Sequence, residues 1–232
     1  MSRVLRFGIL ALGLLIFVSS VSVTEAKGQG PLTEILRRMD INNKSLQSLQ
    51  ADVTMVKFDS VLKVSDTTYG STSYLPKTAK RGMYARIDWT KPVEEQISVI
   101  GDAYELYRPR LGQVIQGKTS AAKNNGSVGG ALAFMSMSRD QLRANYTTAY
   151  LGEEQISGGI TTWHLQLTPK SATTYRSAEL WVDKDGMPRQ AKIIEQNNDT
   201  TTVLLSNIKK NETVRAEIFK LKYPGSVKKI KA

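Results

Sequence analysis

The apolar positions change their period more than once along the chain. Leu32, Ile35, Leu36 and Met39 recur at helical spacing behind Pro31, a residue suited to the first turn of a helix, which predicts an amphipathic helix ending near Asn42-Asn43 or one to two turns later. From Leu49 the period becomes two: Leu49, Ala51, Val53 and Met55 alternate with Gln50, Asp52 and Thr54, as in a strand with one dry face and one wet face. The same alternation sets Met83, Ala85, Ile87 and Trp89 opposite Tyr84, Arg86 and Asp88. Strands are expected over 49–58, 66–75, 82–89, 94–100, 103–108 and 112–116, punctuated by Pro76, Pro92, Gly101-Asp102, Pro109 and Gly112. A Gly/Ser/Asn-rich loop over 117–130 precedes a return of the helical period in Ala131, Leu132, Phe134, Met135 and Met137. Ser138-Arg139-Asp140-Gln141 then has the form of a capping box that starts another helix. Strands resume over 147–153, 160–168, 174–183, 188–197 and 200–208, with Asp185-Gly186 as a hairpin signal, and a last short strand is expected over about 214–221.

Short strands joined by short turns predict an antiparallel meander rather than strand–helix–strand units. The fold class is therefore mainly β (α+β): about eleven strands, with about three short helices. Such a sheet must curve, and its apolar inner face needs a cover, which the three helices supply. Val53, Met55, Met83, Ile87, Trp89, Ile97, Val99, Trp163 and Leu165 are assigned to that inner face, with Leu132, Phe134, Met135 and Met137 on the central helices above it. The helices either complete an ordinary core or leave a lipid-sized cavity. Most apolar stripes are core, which slightly favours the first; the adaptable methionines and the hinge-like loop before them pull toward the second.

The N-terminus changes the setting. Arg3 and Arg6 precede an apolar run from Phe7 to Val23 and the small-residue end Thr24-Glu25-Ala26, the layout of a secretory signal peptide. Residues 1–26 are expected to be removed, leaving one domain over 27–232. The loss of Arg3, Arg6 and Glu25 would lower the formal charge of +11 by one. Cysteine is absent, so neither a disulfide framework nor a lipidated cysteine is available. The basic clusters at Arg37-Arg38, Lys80-Arg81, Lys209-Lys210 and Lys228-Lys229-Lys231 lack interleaved stacking motifs, which argues against nucleic acid.

Enzymatic readings fail on inventory. The single histidine, His164, shares an alternation with Thr162 and Gln166 opposite Trp163 and Leu165, the place of a structural residue. No nucleophile elbow, phosphate loop or dinucleotide fingerprint occurs. The acidic pairs Glu94-Glu95, Glu153-Glu154 and Asp183/Asp185 lack the context of a glycosidase, and no calcium-loop spacing is found. No catalytic residue, metal or cofactor is assigned.

Six local motifs, in order, carry a resemblance. They are "LQADVTM" after the first helix, "KRGMYARIDWTKP", "GDAYELYRP", "HLQLTPK", "LWVDKDGMPRQ" and "FKLKYPGSVKK". Together they resemble the periplasmic outer-membrane lipoprotein carriers of the LolA type, with departures at Ala85, where an aromatic residue is expected, and Ile87, where a tryptophan is. The resemblance implies a half-open antiparallel barrel capped by helices, whose cavity receives the acyl chains of lipoproteins. It implies a monomeric periplasmic chaperone that takes acylated lipoproteins from an inner-membrane ABC-type exporter and delivers them to an outer-membrane receptor. It also places a lid latch, linked to cargo release, at Arg81. A general carrier of phospholipid or another amphiphile, and a sensor or protein-interaction module of the same fold, remain as alternatives.

Overall fold

The alternation that begins at Leu49 becomes the first strand of one large sheet. The computed structural model describes residues 29–119 and 137–231. Its strands are β1 (Leu49–Asp59), β2 (Val64–Leu75), β3 (Tyr84–Lys91), β4 (Glu95–Ile100), β5 (Ala103–Arg108), β6 (Gln113–Lys118), β7 (Tyr146–Ile156), β8 (Ile160–Pro169), β9 (Tyr175–Asp183), β10 (Pro188–Glu195), β11 (Thr200–Lys210) and β12 (Lys228–Lys231). They lie in the order β12-β6-β5-β4-β3-β2-β1-β11-β10-β9-β8-β7. The two edges, β12 and β7, do not pair, so the barrel is open. Every pairing is antiparallel except that of β12 with β6.

The expected mainly β, half-open architecture is what forms. Helix α1 runs from Gln29 to Ser45 and α2 from Arg139 to Asn145. The capping box is made in both directions: Gln141 N donates to Ser138 Oγ, and Ser138 N donates to Gln141 Oε1. Met137 is not helical, and the rest of the helix expected over residues 131–137 lies outside the described residues, as does the signal peptide.

Two expectations need correction. Met83 precedes β3 instead of belonging to it; its carbonyl accepts a hydrogen bond from Gly101 N at 2.8 Å, which turns the chain into the strand. The strand expected over 214–221 is instead an extended strap with one 3₁₀ turn, Ala216–Phe219, and the last strand forms only at Lys228. The reason is topological. After β11 the chain has no free neighbour beside it and must cross the sheet's outer face to reach the exposed edge of β6. On the way Phe219 is fully buried and packs edge-on against Tyr84 at 5.5 Å, its carbonyl accepts a hydrogen bond from Ser98 Oγ, and that of Ile218 accepts one from Arg86.

Candidate functional site

Directly opposed residues of neighbouring strands point to the same side, so the registers can be read as rows of side chains across the sheet. One row on the helix side runs Leu165, Leu180, Ala191, Val203, Met55 from β8 to β1, and every member is buried. Ile35, Leu36 and Met39 of α1 and Leu142 of α2 belong to the same core. Helix α1 is held there by polar contacts: Arg38 donates to Lys184 O at 2.8 Å and lies 5.3 Å from the centre of the Trp163 ring, while Asn42 meets Met187. This half of the barrel is filled.

The other half differs. A second row on the same side runs Ala51, Thr72, Ile87, Ile97, Leu106, Ile115, Ile230 from β1 to β12. It is buried as far as Ile87 and only half-buried from Ile97 to Ile230. Four aliphatic side chains therefore form a continuous apolar strip that is not fully covered. On one flank, Ala85, Val99, Tyr104 and Gly117 share the face. A Cβ on Gly117 would lie 2.7 Å from the Tyr104 ring, so only glycine lets that ring settle across the β6 backbone. On the other flank Trp89 is buried beside Glu95, which meets Arg108 at 3.1 Å, a charged boundary to the strip. Tyr74 joins the face next to Ala85, and burial raises its phenol pKa.

Of the residues assigned from sequence to the inner face, Val53, Met55, Ile87, Trp89 and Leu165 are buried in the core, and Ile97, Met137 and Trp163 pack against it half-buried. Val99 is half-buried on the same side. Leu132, Phe134 and Met135 lie outside the described residues. Arg81 stands at the entry to β3, where its guanidinium donates to Pro76 O at 3.3 Å and lies 5.5 Å from the centre of the Tyr84 ring. Its Nε is buried without a hydrogen-bond partner among the described residues. Sequence reasoning passed over Leu106, Ile115 and Ile230. Leu106 follows from the alternation of Tyr104 and Leu106 within β5, whereas the adjacent Val114 and Ile115 leave β6 without a two-residue period and Ile230 lies in a parallel pairing over four residues, so neither isoleucine carries a local signal.

Among the described residues, clefts of about 340 and 220 Å³ lie on the opposite, outer side, between the sheet and the C-terminal strap. Ser98, Glu105, Lys220 and Tyr223 line the larger. No group of acidic or histidine residues there could hold a metal ion, and no described helix is long and apolar enough to cross a membrane.

A family model described as "Outer membrane lipoprotein carrier protein LolA" matches residues 45–222, most of the chain. A search of curated proteins finds no match. Among solved structures, an uncharacterized conserved protein from Thermus thermophilus is 13% identical, with a TM-score of 0.55 over 87% of this chain and 99% of its own. Pseudomonas aeruginosa MucB, solved with MucA, is 12% identical, with a TM-score of 0.50; the match covers 83% of this chain and 61% of the other. A LolA superfamily protein from Nitrosomonas europaea is 16% identical, with a TM-score of 0.41 over 82% of this chain and 97% of its own. At these identities the likeness to the Thermus thermophilus protein and to MucB is one of fold.

Proposed function

Because the chain belongs to the LolA family of outer membrane lipoprotein carrier proteins, we propose that it is an exported, non-enzymatic carrier that shelters the acyl chains of lipoproteins between the inner and outer membranes. The half-buried strip Ile97, Leu106, Ile115 and Ile230 carries this reading. It adjoins a filled core yet is incompletely covered itself, as a surface awaiting an apolar ligand should be. Val99 and the buried Ile87 and Trp89 extend its floor, and Leu132, Phe134, Met135 and Met137 are the proposed lid residues. Val53, Met55, Trp163 and Leu165 then serve as the packed wall behind the site.

The energetics suit a carrier. Each buried methylene contributes roughly 0.8 kcal/mol, so an acyl chain of about 14 carbons represents about 11 kcal/mol gross. A rigid, fully complementary pocket would hold such a chain too long, and release calls for a second state of the protein with weaker contacts. Arg81, whose Nε has no hydrogen-bond partner among the described residues, is the proposed latch for that transition. An ABC-type exporter on the inner membrane and a receptor on the outer membrane are the proposed donor and acceptor, and a periplasmic location after cleavage near Ala26 follows from the same reading.

Binding of a fluorescent triacylated lipopeptide and of a diacyl phospholipid tests the proposal. Wild type is expected to prefer the lipopeptide, Ile97→Glu/Leu106→Glu and Leu132→Glu/Phe134→Glu to lose binding by at least about tenfold, and Arg81→Leu to bind but release more slowly. Equal binding of both lipids would make the protein a general amphiphile carrier. Binding of neither would sink the carrier reading and leave a protein-interaction module of the same fold.

A further inference from the structure

The turn between β1 and β2 exposes more apolar surface than any fold requirement explains. Val61 is 80% and Leu62 69% exposed, and Val64 is exposed at the start of β2. Solvated hairpin tips usually carry Gly, Asn or Asp. This one sets two large aliphatic side chains at its summit, remote from the apolar strip on the helix side.

The tip is also rigidly made. Asp59 Oδ1 accepts hydrogen bonds from Val61 N at 2.8 Å and Leu62 N at 2.7 Å, and the Asp59 carbonyl accepts one from Lys63 N at 3.0 Å. Ser60 N donates to Asp199 Oδ1 at 2.7 Å, and Ser60 Oγ donates to Asn197 O, so the neighbouring β10–β11 turn braces the tip. Four successive backbone N–H groups, from Ser60 to Lys63, thus have partners within the protein. In water that arrangement is unnecessary, since solvent satisfies a turn; in an apolar medium each unpaired group is costly. One oxygen each of Asp59 and Asp199 accepts these bonds, and the bonds from Ser60, with one from Asn197 Nδ2 to the other oxygen of Asp199, hold the Asp199 carboxyl below its usual range. Exposed Lys63, beside the Phe58 ring, and Arg176, bonded to Asn198, supply cations at the base.

We propose that the β1–β2 tip is a membrane-docking element: Val61 and Leu62 enter the interfacial layer of a phospholipid bilayer while Lys63 and Arg176 meet its phosphates. A convex summit with a self-satisfied backbone suits a fluid surface, which closes around a protrusion without a matching groove. The inference is independent of what the apolar strip binds.

The absence of native cysteine makes the test clean. Single variants Leu62→Cys and Leu151→Cys, the second on the exposed edge strand β7, carry an environment-sensitive NBD label in the otherwise intact chain. On phosphatidylethanolamine/phosphatidylglycerol vesicles the label at 62 is expected to brighten several-fold, shift to the blue and become accessible to quenchers in the acyl layer, while that at 151 stays unchanged. Val61→Asp/Leu62→Asp is expected to cut co-sedimentation with these vesicles about tenfold without altering the thermal melt. An unchanged label at 62, equal changes at both positions, or undiminished co-sedimentation of the double variant would overturn the proposal.

Discussion

Gly186 shows how much a single residue settles in this molecule. It sits in the β9–β10 turn with φ of 83°, and a Cβ there would lie 2.3 Å from the carbonyl carbon of Arg38. Helix α1 therefore rests on the turn's backbone, and Arg38 can reach Lys184 O. Gly186→Ala is expected to destabilise the protein by about 3 kcal/mol, through a strained φ and a displaced helix, measured as a lowered urea midpoint. His164 is settled by its neighbours in the same way. It stacks on Trp181 at 4.2 Å, with Nδ1 3.0 Å from a Glu154 oxygen, on the outer face, where it serves packing.

Among the elements, the C-terminal strap departs most from what its sequence suggests. Residues 214–221 alternate well enough to read as a strand, but both sides of β11 are already paired and the chain crosses the sheet to the edge of β6. Burial of Phe219 and the contact between the Tyr107 and Tyr223 rings hold the segment on its way to β12. Phe219→Ala is expected to cost about 3 kcal/mol and to open the strap to trypsin at Lys220 and Lys222, while the far-ultraviolet spectrum keeps its β character. Protection equal to wild type would mean that the β12–β6 pairing alone secures the strap. Helix α2 is the opposite case: a capping box read from four residues forms as expected because both of its hydrogen bonds are local.

At the scale of the whole molecule, ionisation bounds the stable range. The Arg37 and Arg38 guanidiniums hold the Glu34 carboxyl at about 2, well below its free value. A lowered carboxyl stabilises the fold above its unfolded pKa, and that stability is lost as pH falls through the folded one, here between about 4.5 and 2. Its size is small because the pair is exposed. Burial, with the Tyr146 hydroxyl 2.6 Å away, raises the Tyr175 phenol far above its ordinary value. A raised phenol stabilises below the unfolded value of about 10 and loses that contribution as pH rises beyond it. Urea midpoints are therefore expected to be flat between about pH 5 and 9 and to fall on both sides. A maximum confined to one side would contradict this account.

Elements whose cause is local are legible in the sequence alone. The alternations in β1 and β3 named Val53, Met55, Ile87 and Trp89 as inward residues, Asp185-Gly186 marked a hairpin, and Ser138 to Gln141 marked a helix start. The sequence also carried the family, through six ordered motifs. Which inward residues become core and which form the strip is settled by how the helices pack on the sheet. Burial depends on where α1 and α2 lie, and they fill the β8–β1 half while Ile97, Leu106 and Ile115 stay half-covered. The place of Ile230 beside Ile115 was likewise invisible, because a parallel pairing between β6 and the chain's end is set by the path of the strap and leaves no periodicity to read.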